Sequence, residues 1–317
     1  MGRKNESPVS QFVLLGFPDA KQFQPLLFSF FLVIYLLTVT GNVLIIYAVK
    51  RDHRLHKPMY YLLVNFSFME ICYISSTVPN MLFNVLLVQH TISVLGCITQ
   101  CYFFFVMGAL ENYLLALMAY DRYLAICNPL RYPAVMTTRF CSTLAGGCWA
   151  VTFLASIVPI IYISRLQFCD SNEINHFFCD ISPLLKHSCS DTTVFKQFFF
   201  TMVWIIIFSC FLTTLISYLH IIKTLMQIPS TTGRKKGFST CTSHAIVVTM
   251  YYGTVIFVYV RPMASDSTEM DKVVSVFYVV LTPLFNPFIY SLRNKDVRKA
   301  LAKVYVENFS VCSNRSM

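Results

Sequence analysis

The sequence predicts an all-α membrane protein: a seven-transmembrane helix bundle followed by a short amphipathic eighth helix. Three observations predict it. Of 317 residues, 56% are hydrophobic and 13% charged, with a mean hydropathy of +0.59, whereas a soluble domain carries about 25% charged residues. Stretches without Asp, Glu, Lys or Arg recur along the chain, each near or above the ~20 residues that cross a bilayer. The basic residues divide unequally between the two sets of connecting segments. This composition excludes a soluble globule. It also excludes a disordered chain, which needs low hydrophobicity. A membrane barrel is excluded too, because its strands would be about 10 residues long and alternating.

Residues 1–24 form a polar N-terminus with Arg3, Lys4, Glu6, Asp19 and Lys21 and no long apolar stretch. No cleavable signal peptide is expected there, so the first span serves as its own insertion signal. The charge-free run 22–49 contains the first span, 25–49. Between Glu70 and Glu111 lies a run of 40 residues, enough for parts of two spans. Gln89, His90 and Gly96 mark a turn within it, which gives spans at 58–85 and 97–126. Further runs place spans at 140–163, 197–222, 238–260 and 273–292, with a long loop at 164–196 between the fourth and fifth. In the tail, 293–317, Arg298 and Lys299 stand beside Val297, Ala300 and Leu301, the pattern of a helix lying on a membrane surface.

Seven spans put the termini on opposite sides. Of 25 Lys and Arg, 17 fall on the side of 50–57, 121–139, 223–236 and the C-terminus, and 8 on the other. The richer side is expected in the cytoplasm. The net charge of +10 is then topology and attraction to lipid headgroups, not nucleic-acid binding. The protein is expected to be multi-pass in the plasma membrane, N-terminus outside. Asn5-Glu6-Ser7 is a glycosylation sequon on that outer side. No His pair has metal-ligand spacing, and no phosphate loop or HExxH is present, so no enzyme is expected. His176 and His187 flank Cys179 and could touch a soft metal, although loop histidines are more often unliganded.

Several strings narrow the class. Met118-Ala119-Tyr120-Asp121-Arg122-Tyr123 ends span three, and Pro283-Leu284-Phe285-Asn286-Pro287-Phe288-Ile289-Tyr290 lies near the end of span seven. Together they resemble the rhodopsin-like (class A) G-protein-coupled receptors. Leu55-His56-Lys57-Pro58-Met59-Tyr60, Ser217-Tyr218, Phe238-Ser239-Thr240-Cys241-Thr242-Ser243-His244 and Ser291-Leu292-Arg293-Asn294 resemble one branch, the vertebrate odorant receptors. The resemblance runs from about Phe12 to Leu301. Glu70, Gly237 and Tyr252 depart from the usual Asp, Ala and Trp of related chains.

The resemblance implies a receptor for small, mostly apolar volatile odorants that activates a stimulatory, olfactory-type G protein and raises cyclic AMP. It implies disulfides Cys97–Cys179 and Cys169–Cys189; cysteine count alone leaves three pairings of these four. It implies a G-protein switch of Asp121, Arg122, Tyr123, Tyr218, Asn286, Pro287 and Tyr290, with Arg122 paired to Asp121 at rest. Glu70 and Glu111 are the acids within the spans. With Asn42 and Asn286 they are expected to hold an allosteric sodium ion, the alternative being protonated carboxyls; no other cofactor is expected. The ligand face on span three is Phe104, Phe105, Gly108, Ala109 and Asn112, at helical spacing. It is expected to turn toward spans five and six, where Met202, Val203, Ile206, Tyr252, Val255, Ile256 and Tyr259 lie at matching depth. The set has no charged residue, so a charged ligand would be buried unpaired. The rival readings are a non-olfactory chemosensory or hormone receptor on the same fold, and a transporter or channel, which would need broken helices and a polar midplane path. Phe104 stands where amine receptors carry Asp.

Overall fold

The computed structural model describes residues 9–17, 22–86, 91–168, 172–260, 268–294 and 296–303. A strand, β1 (Gln11–Leu14), precedes the first long helix, α1 (Gln24–Arg51). In α1, Leu26, Phe30, Val33 and Leu37 are exposed along one side, while Phe31, Ile34, Thr38, Asn42 and Ile45 are buried along another. Both stripes follow helical spacing. The exposed stripe is the greasier one and the buried stripe carries the polar residues, as expected when the solvent is lipid.

α2 (Pro58–Leu86), β2 (Thr91–Ser93) and α3 (Val94–Cys127) follow. α3 is the central post, touching α2, α5 (Thr138–Ala155), α6 (Ile157–Ser164), α8 (Thr193–Met226) and α9 (Thr231–Val260). The fourth span is two helices because Pro159 offers no N–H to the Ala155 carbonyl, four residues back. Ser156 reinforces the break by donating its Oγ–H to Thr152 O at 2.6 Å. The seventh runs as α10 (Thr268–Val276), a π-helical turn at Phe277–Leu281, and α11 (Thr282–Arg293). Pro283 withholds a donor from that turn, and Thr282 gives both its N–H and its Oγ1–H to Phe277 O. Six described helical stretches are long and apolar enough to cross a membrane. α9, the other long helix, opens on the polar, basic stretch 231–244 and turns apolar only from Ala245. The fold is the seven-helix bundle that the sequence predicts. Close approach matters in it: a Cβ on Gly41 would lie 3.0 Å from Pro287 Cβ, so any side chain there would push α11 by a few tenths of an ångström.

Residues 296–303 are helical, with Val297 and Ala300 buried and Arg298 and Lys299 exposed. This short amphipathic α12 is tied to the base of α2, whose Tyr60 hydroxyl hydrogen-bonds Asp296 Oδ2 at 3.2 Å and Asn294 Oδ1 at 3.4 Å. Between α1 and α2, Arg54 forks onto Asp52 (Nε to Oδ1 2.9 Å, Nη2 to Oδ2 2.6 Å). That hydrogen-bonded guanidinium pulls the Asp52 carboxyl down to about 2.

The connecting segments are more structured than expected. β1 pairs antiparallel with β2 and parallel with β3 (Glu173–Ile174), giving a three-stranded sheet at the Cys97 end of the bundle. Phe12 and Leu14 are fully buried in it. The segment 164–196, expected as a loop, holds β3 and a helix, α7 (Ile181–Lys186), and α8 begins at Thr193 rather than 197. α3 begins at Val94, because Ser93 caps it by accepting the Gly96 N–H. α9 extends back to Thr231, ahead of the expected 238. On the opposite face, α4 (Tyr132–Val135) is a single turn between α3 and α5.

Candidate functional site

Asp121 and Arg122, 1% and 6% exposed, close the Cys127 end of α3, which the charge distribution of the sequence leads one to expect as the inner end. They do not pair, which corrects the expected resting ion pair. Among the described residues the ion pair within reach is Arg54–Asp52. Adjacent residues on a helix point away from each other, so a third element reaches each of them. Tyr132 of α4 donates its hydroxyl to Asp121 Oδ1 at 2.9 Å. Arg122 Nη1 rests on the Met59 sulfur of α2, and its Nε has no partner. Tyr123 lies against His220 and Tyr120. Tyr218 of α8 meets His244 of α9, hydroxyl to Nδ1, at 2.8 Å with the rings stacked. That contact closes α8 onto α9 beside Arg122. In the sequence His244 is one residue of the string 238–244; its role emerges from the fold.

Midway up the bundle, Asn286 Nδ2 donates to Glu70 Oε1 at 2.6 Å. Glu70 Oε2, Glu111 Oε1 and Asn286 Oδ1 are buried without partners. Three acceptor oxygens lacking donors fit a cation or protons. Asn42, expected in the same set, instead gives its amide to Thr38 O in its own helix at 3.1 Å. Tyr290 is buried against Phe66 and its hydroxyl has no partner. Pro287 sits inside α11 next to Asn286. No group of three His, Cys, Asp or Glu that could hold a metal occurs among the described residues.

The expected ligand face of α3 divides in two. Phe104 does not turn toward α8 and α9: it stacks on Tyr73 of α2 (5.2 Å between ring centroids) and lies tilted against Phe178 (4.8 Å) and Tyr278 (6.2 Å). Gly108 faces the same way, since a Cβ there would lie 3.9 Å from Tyr73 Cε2. The five residues cover a broad arc of the helix, so one edge looks at α2 and the other at α8 and α9. Phe105 and Asn112 occupy that second edge. Phe105 packs on Phe199 of α8 at 5.2 Å. Asn112 Nδ2 donates to Gly108 O at 3.0 Å and to the Tyr251 hydroxyl of α9 at 2.6 Å, while its Oδ1 has no partner. Val203 is buried in α8; Ala109, Met202, Ile206 and Val255 are partly buried. Tyr252 stands edge-on to Phe211, its hydroxyl unpartnered. The side chains of Ile256 and Tyr259 lie outside the described residues. Tyr251 was missed: periodicity cannot tell which of two adjacent tyrosines reaches α3. Phe178 and Phe199 lay in a segment read as loop and at a span's margin.

At the Cys97 end, Cys97 is disulfide-bonded to Cys179. Below that bridge Gln100 accepts from Cys179 N–H at 2.9 Å and donates to Ser76 O at 3.0 Å. Cys189 is also disulfide-bonded; its expected partner Cys169 and the sequon residue Asn5 lie outside the described residues. His176 uses both ring nitrogens on the protein: Nδ1 faces Phe178 N at 3.4 Å and Nε2 faces Ser275 Oγ at 3.3 Å, which leaves none for a metal. Burial, with the Lys272 charge second, pushes His176 down to about 3.

The family model described as "Olfactory receptor" matches residues 31–308. The chain is 50% identical to human Olfactory receptor 11H4 over 304 residues, 96% of this chain and 94% of that one. It is 48% identical to human Olfactory receptor 1F1 over 304 residues (96% and 97%) and 44% identical to mouse Olfactory receptor 1M1 over 313 (99% and 100%).

Proposed function

The chain belongs to the olfactory receptor family of rhodopsin-like receptors, and on that premise we propose how its geometry serves odorant detection. It is an odorant receptor, a multi-pass plasma-membrane protein that couples to a G protein and does no covalent chemistry. The ligand sits between α3, α8 and α9. The observation that carries this reading is the polar pair in an otherwise apolar wall: Asn112 Nδ2 on the Tyr251 hydroxyl, with Asn112 Oδ1 left free to accept from a ligand O–H. Small apolar volatiles with one hydroxyl therefore fit better than amines or acids. Their binding weakens the α3–α9 contact and favours the state in which α9 has swung away from α8. Tyr218 then leaves His244, and Arg122 leaves Met59 to meet the partner. That partner is a stimulatory, olfactory-type G protein, docking on the side that carries 17 of the 25 basic residues. The N-terminus is outside, because the disulfide of Cys97 needs an oxidising compartment. At rest, a sodium ion among Glu70, Glu111 and Asn286, or protons on the two carboxyls, supplies what their free oxygens lack.

The test is an odorant panel read by cyclic AMP in cells expressing the full chain and Asn112→Leu, which removes the amide oxygen offered to the ligand. Loss of that hydrogen bond should weaken potency for alcohols about three- to tenfold relative to hydrocarbons. A best agonist that is an amine or carboxylate, or equal shifts for alcohols and hydrocarbons, refutes the assignment of this wall.

A further inference from the structure

A second candidate seat for ligand lies on the outside of the bundle. Between α2 and α3, near the Cys97 end, a groove of about 400 Å³ opens away from the helix core. Ile92 of β2 roofs it and Phe103 forms its floor side; Ser75, Ser76, Asn80, Thr99 and Gln100 supply its polar lining. Its depth can be placed. Asn80 stands six residues before the end of α2 at Leu86, and Thr99 five after the start of α3 at Val94. At 1.5 Å per residue both lie roughly 8–9 Å below the helix ends. That is where apolar tails give way to headgroups.

Polar side chains on a lipid-facing wall at this depth call for partners. Three of the five have them: Gln100 is committed to Ser76 O and Cys179 N, the Ser76 hydroxyl to Tyr73 O, and the Ser75 hydroxyl to the Tyr35 hydroxyl of α1 at 3.1 Å. Asn80 Nδ2 has no partner. Pro79, inside α2, brings no N–H to the Ser75 carbonyl, so that acceptor lacks its helical donor. Thr99 is exposed on the facing helix. A turn of the buried Asn80 amide toward the groove would thus set a donor beside this acceptor, within one turn of α2, with the Thr99 hydroxyl opposite. An alcohol both donates and accepts, so one O–H answers both groups; a ketone answers only the amide.

We infer that this groove is a binding site for a small aliphatic alcohol partitioned in the membrane, separate from the seat between α3, α8 and α9. The volume suits an odorant-sized molecule. A membrane sterol fits worse, because its rigid ring system needs a long apolar face and this wall is interrupted by serine, asparagine and threonine.

The test uses the full receptor in lipid nanodiscs and a straight-chain alcohol carrying a diazirine, with the matching diazirine hydrocarbon as control. After illumination, peptide mapping should place the alcohol on the stretches of α2 and α3 that line the groove, in excess over the hydrocarbon. Asn80→Leu should lower that labelling about three- to tenfold, the worth of one hydrogen bond. Thr99→Trp should fill the groove and remove it. Non-reducing peptide maps showing Cys97 joined to Cys179 establish that each variant is folded. If a variant fails that check, the comparison of alcohol with hydrocarbon on the unaltered receptor decides alone. Equal labelling by the two probes, labelling indifferent to both substitutions, or displacement by cholesterol overturns the inference. The readout is labelling, not signalling, so its failure leaves the receptor reading intact.

Discussion

The two ends of the bundle are held by different means. At the Cys97 end a disulfide, a three-stranded sheet and a run of packed rings (Phe17, Phe177, Phe178, Phe104, Tyr73) tie the N-terminal segment, the 172–192 segment and the helices together. At the other end the polar residues of α3, α8 and α9 are held by single side-chain contacts over a small apolar cluster of Ile221, Leu225 and Cys241: Tyr132 on Asp121, Arg122 on Met59, Tyr218 on His244. Several buried polar atoms there and in the polar cluster above lack partners, including Arg122 Nε, His244 Nε2 and Tyr290 Oη. An unmade buried hydrogen bond costs about 1–3 kcal/mol. The lesson is where motion is cheap. A conformational change that supplies those missing partners gains free energy at the inner end, whereas one that opens the sheet and the disulfide loses it.

The strongest break of this contrast is Arg122→Ala. Among the described residues, no other buried side chain at the base of α3 offers five N–H donors in a rigid fork. Odorant-evoked cyclic AMP should vanish while surface display, measured by antibody on intact cells, stays near wild type because the fold hangs on the other end. Normal signalling at equal display would show that the inner end does not work through this guanidinium.

Cys97→Ser or Cys179→Ser addresses the opposite end. Loss of a native bridge removes about 2–5 kcal/mol, so thermal unfolding in detergent should fall sharply. Cys127→Ser, whose Sγ merely faces the Thr224 hydroxyl at 3.2 Å, should shift it little. Equal losses at the two sites would erase the difference between the ends.

Tyr132→Phe sharpens the contrast further. It leaves Asp121, 1% exposed, without its donor, and should destabilise this inner-end arrangement by about 1–3 kcal/mol. The consequence is raised basal cyclic AMP without odorant. A silent variant, with unchanged basal and evoked responses, would mean that the α4 turn does not restrain α3.

How much of this was legible beforehand depends on range. Spans are properties of twenty consecutive residues, and hydropathy reads them directly. Even the tail helix shows in the spacing of Val297, Ala300 and Leu301. Contacts between distant segments do not show. Gln11-Phe12-Val13-Leu14 is too short a run to announce a strand, and its partners are residues 91–93 and 173–174. Period 3.6 placed Phe104 and Asn112 on one broad face, but not the direction of that face, which is set by how α2 and α8 pack around α3. The resemblance implies a resting pair of Asp121 with Arg122, but on a helix their adjacency turns the two side chains apart. Tyr251 and His244 carry contacts that only the packing of α9 on its neighbours reveals.

The smallest expected effect tests the rigid end by pH. His176, 6% exposed, sits between the Phe177 and Phe178 rings and Ser275. Burial and the Lys272 charge hold it down to about 3, against an ordinary 6.5. The folded state therefore keeps it neutral, while the unfolded chain takes up a proton as pH falls through 6.5. Its contribution is full above that pH and is lost progressively down to about 3. At pH 5.5 the loss is about 1.4 kcal/mol, one decade of proton binding to the unfolded state alone. Asp180 titrates in the opposite sense, since burial pushes it up to about 6 and its protonation favours the folded state as pH drops. The wild-type curve alone therefore mixes opposing contributions. His176→Gln keeps a hydrogen-bonding group for Ser275 and removes one of the two titrations. The variant should gain on wild type by that amount between pH 7 and 5.5 in thermal unfolding of the full receptor. A constant gap between the two curves across that interval would show that His176 is already charged, or already solvated, in the folded state.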